Sequence, residues 1–115
     1  MRVAISSRGK NLDSLLDPRF CKCKHFVIVE MGDMRFEAFD NGGRALGGED
    51  CIQSAKFVAS KGVKTVITGH CGPDVAEILS AARIEIFLEN KRSVRDALNK
   101  YIYVCSRPEY WETIH

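Results

Sequence analysis

The chain has 115 residues, 45% hydrophobic and 28% charged, enough for one hydrophobic core and too few for two. A net charge of +2 is too small to indicate nucleic acid, and no apolar run approaches the ~20 residues of a membrane span. The amino terminus MRVAISSRGK lacks an apolar signal core, so a cytoplasmic location is expected, with the five cysteines as thiols, metal ligands or redox groups and not as structural disulfides.

Arg2 to Ser6 predicts a short first strand with Val3 and Ile5 on one face. Residues 7 to 24 show no period and read as a loop, with a helical turn near Leu12, Leu15 and Leu16. Arg8, Lys10, Arg19, Lys22 and Lys24 outnumber Asp13 and Asp17 there. Such a run is either a solvated loop or a basic rim around an anionic ligand. His25 to Met31 is a near-continuous apolar strand. Gly32-Asp33 predicts a type II′ turn, glycine first, into Met34 to Asp40, an alternating strand with one wet face. The glycine-rich connection Asn41 to Gly48 leads to a helix over Glu49 to Lys61, stopped by Gly62. Its predicted inner face carries Cys51, Ile52, Ala55, Val58 and Ala59, with Phe57 opposite.

The stretch from Val63 to Glu77 carries the most information. Val63, Val66 and Ile67 with Thr65 and Thr68 are the β-branched run of a buried central strand. Gly69-His70-Cys71-Gly72 breaks it, and Pro73 stands where a helix takes its first residue. Val75, Ile78, Leu79 and Ala82 then form one helical stripe. A loop between a strand's carboxyl end and a helix's amino end is where α/β sheets bind ligands, and the helix start favours an anion. Glu85 to Leu88 predicts a fifth strand, and Ser93 with Asp96 caps a last helix carrying Val94, Ala97, Leu98, Tyr101 and Ile102.

The order β-β-β-α-β-α-β-α implies an α/β domain with a mixed five-stranded sheet and flanking helices, a ribonuclease H-like layout, over residues 1–104. Val66 to Thr68 is expected at its centre and Met34 to Phe39 at its antiparallel edge. Residues 105–115 read as a tail whose Tyr110 and Trp111 are ordered only if they dock.

Two cysteine motifs carry chemistry. Cys21-Lys22-Cys23 is a C-x-C pair in a basic loop, where Lys22 and Lys24 should lower the thiol pKa and favour ligation. The bland alternative is two loop thiols. His70-Cys71 puts an imidazole and a soft sulfur at a helix start, suited to a transition metal or an anionic cluster. Its alternative is a capping histidine over a small buried cysteine. Cys51 and Cys105 read as structural. Gly69-x-x-Gly72 lacks the Lys-Ser/Thr of a phosphate loop, and RVAIS carries no carboxylate for a two-metal nuclease.

Leu12-Asp13-Ser14, Asp17-Pro18-Arg19-Phe20 and His25-Phe26-Val27-Ile28-Val29 resemble the amino-terminal half of the dinitrogenase iron–molybdenum cofactor biosynthesis family. Gly47-Gly48, Ala59-Ser60-Lys61-Gly62-Val63 and Val66-Ile67-Thr68-Gly69-x-x-Gly72-Pro73 resemble its second half. The resemblance implies a ribonuclease H-like fold and a carrier or insertion role for metal–sulfur clusters, with no nuclease activity. The chain departs from the family at Cys21-Lys22, at His70-Cys71, and at Arg83, where the family commonly has glycine and a left-handed backbone is expected.

These readings converge on a cytoplasmic, non-enzymatic protein that binds or carries an iron–sulfur or iron–molybdenum type cluster. The expected metal ligands are Cys21, Cys23, His70 and Cys71, and Arg19, Lys22, Gly47, Gly48, Gly69 and Gly72 would line the cofactor. Because the ends of strands one and four should be neighbours, Cys21 or Cys23 is expected near His70 and Cys71. The expected partners are cluster donor and acceptor proteins, with no nucleic acid and no membrane, the chain being a monomer or weak homodimer. Two alternatives stay open: an anion- or nucleotide-binding regulatory module using the helix start at Gly72, and a plain protein-interaction domain.

Overall fold

The computed structural model describes residues 1–41, 51–90 and 92–106. The elements run β1 (Arg2–Ser7), β2 (His25–Glu30), β3 (Arg35–Asp40), α1 (Cys51–Ser60), β4 (Thr65–Thr68), α2 (Pro73–Ala81), β5 (Glu85–Leu88) and α3 (Val94–Cys105). The sheet is mixed and five-stranded, in the order β3-β2-β1-β4-β5. The β1–β2 and β2–β3 pairs are antiparallel, and β1–β4 and β4–β5 are parallel. Period-two alternation sends Ala4, Phe26, Ile28 and Val66 into one core layer with Ala55 and Val58 of α1 and Val75 and Leu79 of α2. Val3, Ile5, Val27, Val29 and Ile67 enter the other, with Val94, Ala97, Leu98 and Tyr101 of α3. Among the described residues no helix is long and apolar enough to cross a membrane.

The central strand is β1, not β4. β4 is wholly buried but lies one place in from the parallel edge, while β3 takes the antiparallel edge as expected. The short RVAISS stretch understates its burial because its small residues are covered. Ala4 packs in the layer shared with α1 and α2, and Ser6 is buried because its hydroxyl bonds the Asp17 carbonyl at 2.6 Å and Thr68 Oγ1 at 2.8 Å.

The β2–β3 connection also differs from the expected two-residue turn. Glu30 pairs with Arg35 across a four-residue loop, Met34 N donates to Glu30 O at 2.8 Å, and Met34, not Gly32, takes the positive φ of 62°. In α1 the inner face is rotated from the one expected. Ser54 is buried and Ile52 is exposed. Phe57 faces inward, stacking with Phe26 at 6.3 Å and meeting Phe39 edge-on at 6.2 Å, with the Lys61 ammonium 4.3 Å above the Phe39 ring. A hydrophobic stripe could not place Ser54 inside, because its hydroxyl is satisfied only in the tertiary structure, at 2.8 Å from Asn41 Oδ1. In α3 the Ser93 cap forms as expected, accepting from Asp96 N at 3.0 Å, whereas Ile102 faces solvent.

Near Leu12 the chain makes a single hydrogen-bonded turn, Ser14 N to Asn11 O at 3.1 Å, which does not extend to Leu15 and Leu16. The segment from Arg8 to Lys24 is instead stitched down by backbone bonds: Arg8 N to Leu15 O, Leu16 N to Arg92 O, Val94 N to Ser14 O and Arg95 N to Leu12 O, all between 2.8 and 3.1 Å. Leu12 and Leu16 fill the layer beneath α3 while Leu15 is left exposed. Tyr110 and Trp111 lie outside the described residues.

Candidate functional site

Because β1 and β4 are parallel neighbours, the segment after β1 and the segment after β4 leave the same edge of the sheet, at its carboxyl end. They meet there. Arg19 and His70 form an isolated parallel bridge, and Phe20 N donates to His70 O at 3.3 Å.

Gly69 permits this approach. A Cβ there would lie 2.6 Å from Pro18 Cβ and 2.8 Å from Pro18 Cα, and would also strike Asn90 Oδ1. Glycine is present so that the two loops can touch, and the space above it belongs to the protein. Gly72 differs. A Cβ there would meet nothing, and the residue caps α2 in an extended conformation without a side-chain bond. Pro73 follows at the start of the helix, and the remaining N–H groups of the first turn face the loop.

Asp17 holds the first loop in shape. Its carboxylate accepts from Arg19 N at 3.0 Å, Arg19 Nε at 3.1 Å and Arg19 Nη2 at 3.3 Å. Burial alone would raise the Asp17 pKa. The side-chain and backbone hydrogen bonds from Arg19, with the Arg8 charge beyond, outweigh it and hold the group below the usual carboxylate range.

The structure separates the cysteines. Cys21 is bonded to Cys51 in a disulfide, with Cα atoms 4.8 Å apart, so the expectation that all five are thiols or ligands is corrected. Spacing along the chain could not show it, because the bond joins the C-x-C loop to a helix 30 residues away. Cys23 is wholly buried, its thiol 3.3 Å from Phe20 O. Burial pushes the Cys23 pKa up to about 12, helped by the Asp17 charge and only partly opposed by hydrogen bonds from Ser7 N and Asn41. The predicted lowering by Lys22 and Lys24 is therefore overturned: Lys22 and Lys24 stand in solvent while the sulfur lies in the core. Cys71 is half-buried, and burial raises its pKa as well. Cys21, Cys51 and Cys71 all pack against the core layer that contains Cys23. His70, Arg19 and Lys22 are exposed around them. Gly47 and Gly48, in the glycine-rich connection, lie outside the described residues. Among the described residues no group of three or more His, Cys, Asp or Glu side chains is gathered to hold a metal ion.

Asn41 is the residue that sequence reasoning missed. It is buried, and its amide donates to the carbonyls of Cys21 and Cys23, each at 3.1 Å, while its oxygen accepts from Ser54. It ties the C-x-C loop to α1. Its only sequence signal, an asparagine ahead of two glycines, reads equally well as a flexible turn. The corner so built offers an exposed imidazole and a partly accessible thiol beside an uncapped helix start, with Arg19 and Lys22 on the facing loop. That set suits capture of a soft, anionic species and lacks a nucleophile paired with a base.

A family model described as dinitrogenase iron-molybdenum cofactor matches residues 1–103. No curated protein sequence matches. Among solved structures, the chain is similar to the apo form of the orange protein (ORP) from Desulfovibrio gigas, with a TM-score of 0.81 and 32% identity over 89% of this chain and 87% of that one. It is also similar to a putative NifB protein from Thermotoga, assigned to the DUF35 family, with a TM-score of 0.73 and 26% identity over 89% and 87% of the two chains.

Proposed function

The chain belongs to the dinitrogenase iron–molybdenum cofactor family, and we propose that it binds a metal–sulfur cluster as cargo and passes it on without transforming it. The observation that carries this reading is the bridge between Arg19 and His70, which joins the two cysteine-bearing loops at one sheet edge. Cys71 and His70 are the proposed first contacts, with Arg19, Lys22 and the start of α2 at Gly72 balancing the cluster's negative charge. Cys21 joins them once the bond to Cys51 is reduced, and Cys23 follows only if the loop opens. Gly69 supports the site by holding Pro18 close. The strand order supports a ribonuclease H-like assignment, and cluster donor and acceptor proteins in the cytoplasm are the proposed partners.

A second reading, an anion- or nucleotide-binding module, is favoured by the open space over Gly72 and the uncapped helix start. One experiment separates the two. Protein purified without oxygen, reduced, and incubated with iron and sulfide should give a coloured species with bound metal and sulfide. The colour should weaken as pH falls, because protons must leave the thiols before metal binds. Cys71→Ser should remove most of the metal. Full metal content in that variant would discard the proposed ligand, and no metal in the parent protein would discard the cluster reading.

A further inference from the structure

On the α3 side of the same sheet edge lies a cleft of about 300 Å³ lined by Arg8, Leu15, Leu16, Pro18, Asn90 and Arg92. Neither His70 nor Cys71 lines it. Pro18 and Asn90, which line it, also lie against Gly69. Three backbone stretches set its shape. Arg8 bonds to Leu15 and Arg92 bonds to Leu16, so Leu15–Leu16 runs between the two arginine-bearing segments. With adjacent stretches ~5 Å apart, the arginine backbones stand on the order of 10 Å apart, within the joint reach of two such side chains.

Both arginines are exposed, and neither is ion-paired among the described residues. Asp17 lies near enough for its charge to act on Arg8, but its carboxylate oxygens accept their hydrogen bonds from Arg19. Two guanidinium groups and a carboxamide that can turn its N–H₂ inward, with no carboxylate among the described residues that line the cleft, form a donor-rich site for an oxyanion. Leu15, 46% exposed, and Pro18 add an apolar ledge beside the charges. The volume is at the low end for ligand pockets, which excludes a dinucleotide.

We propose that this cleft is a binding site for a small phosphate monoester whose phosphoryl group is held between Arg8 and Arg92 and whose apolar portion rests on Leu15 and Pro18. A dianion matches two cations where a carboxylate matches one, and the fork of each guanidinium suits the phosphoryl oxygens. The inference does not rest on the cluster reading, since no residue proposed to touch the cluster lines the cleft.

Titrating the isotopically labelled full chain with phenyl phosphate, inorganic phosphate and benzoate, at ionic strength matched with chloride, tests it. Phenyl phosphate should give saturable shifts at Arg8, Leu15, Asn90 and Arg92, and should bind about tenfold more tightly than either phosphate or benzoate. Arg8→Gln and Arg92→Gln should each weaken it by about tenfold while the rest of the spectrum is kept, and Arg92→Lys should fall between. Benzoate binding as tightly would overturn the phosphoryl assignment. Shifts that do not saturate, that chloride reproduces, that centre on His70 and Cys71, or that persist in the glutamine variants would remove the site.

Discussion

Arg83 has φ 61°, the left-handed conformation in which an L side chain crowds its own backbone. The turn between α2 and β5 imposes it: Arg83 N bonds to Ser80 O at 2.9 Å and Ile84 N to Leu79 O at 2.8 Å, closing the helix end. Arg83→Gly should therefore stabilise the chain by about 1 kcal/mol, read as a higher urea midpoint at unchanged slope. A lower midpoint would mean that the arginine makes a compensating interaction. The cysteines show a second effect at this scale, in which burial decides reactivity. At pH 8 iodoacetamide should label the half-buried Cys71 at least a hundredfold faster than Cys23, since the thiolate is the attacking form and the Cys23 pKa is about 12. The raised pKa also sets a sign for stability. The folded chain holds the Cys23 proton more tightly than the unfolded chain, so this contribution is complete below pH 9 and is lost as pH climbs toward about 12. Labelling by mass spectrometry across that range checks both, and equal rates at pH 8 would place the Cys23 sulfur outside the core.

Among the elements, the contact between the β1–β2 segment and the β4–α2 loop is the most sensitive to change. Gly69→Ala would drive a methyl group into the Pro18 backbone, which cannot yield as the tip of a flexible side chain does. The expected loss is about 1–3 kcal/mol in denaturant unfolding, the range for overpacking a close contact. The Arg19–His70 bridge should weaken with it, visible as faster amide exchange at Phe20, whose N–H bonds to His70 O. If stability and the Phe20 amide were both unchanged, the close approach would not be what holds the two loops together.

For the whole molecule, the Cys21–Cys51 bond links the loop after β1 to α1 and so ties the edge carrying the candidate site to the layer that covers the sheet. It closes a loop of sequence separation 30, for which chain entropy predicts about 3.6 kcal/mol of stabilisation. Reduction with an uncharged phosphine should lower the unfolding free energy by that order, and Cys51→Ser should match it without reductant. A chain equally stable in both redox states would mean that the Asn41 bonds to the Cys21 and Cys23 carbonyls already hold the loop.

By itself the sequence determined the elements and their order, because each has a local physical cause: period-two and helical stripes, Pro73 at a helix start, Ser93 as a cap, Gly62 with φ 71° at the end of α1. It also determined that the loops bearing Arg19 and His70 share an edge, since the connections leave few topologies open. Tertiary structure decided what depends on partners distant in the chain. It made β1 central by covering Ala4 and Ser6, drew Ser54 inward to meet Asn41, joined Cys21 to Cys51, and buried the Cys23 thiol beyond the influence of its neighbouring lysines. It also paired Arg8 with Arg92 around one cleft, although they lie at opposite ends of the fold's sequence. Periodicity reports which residues avoid water. Which groups meet there is set by the packing of segments that no local pattern relates.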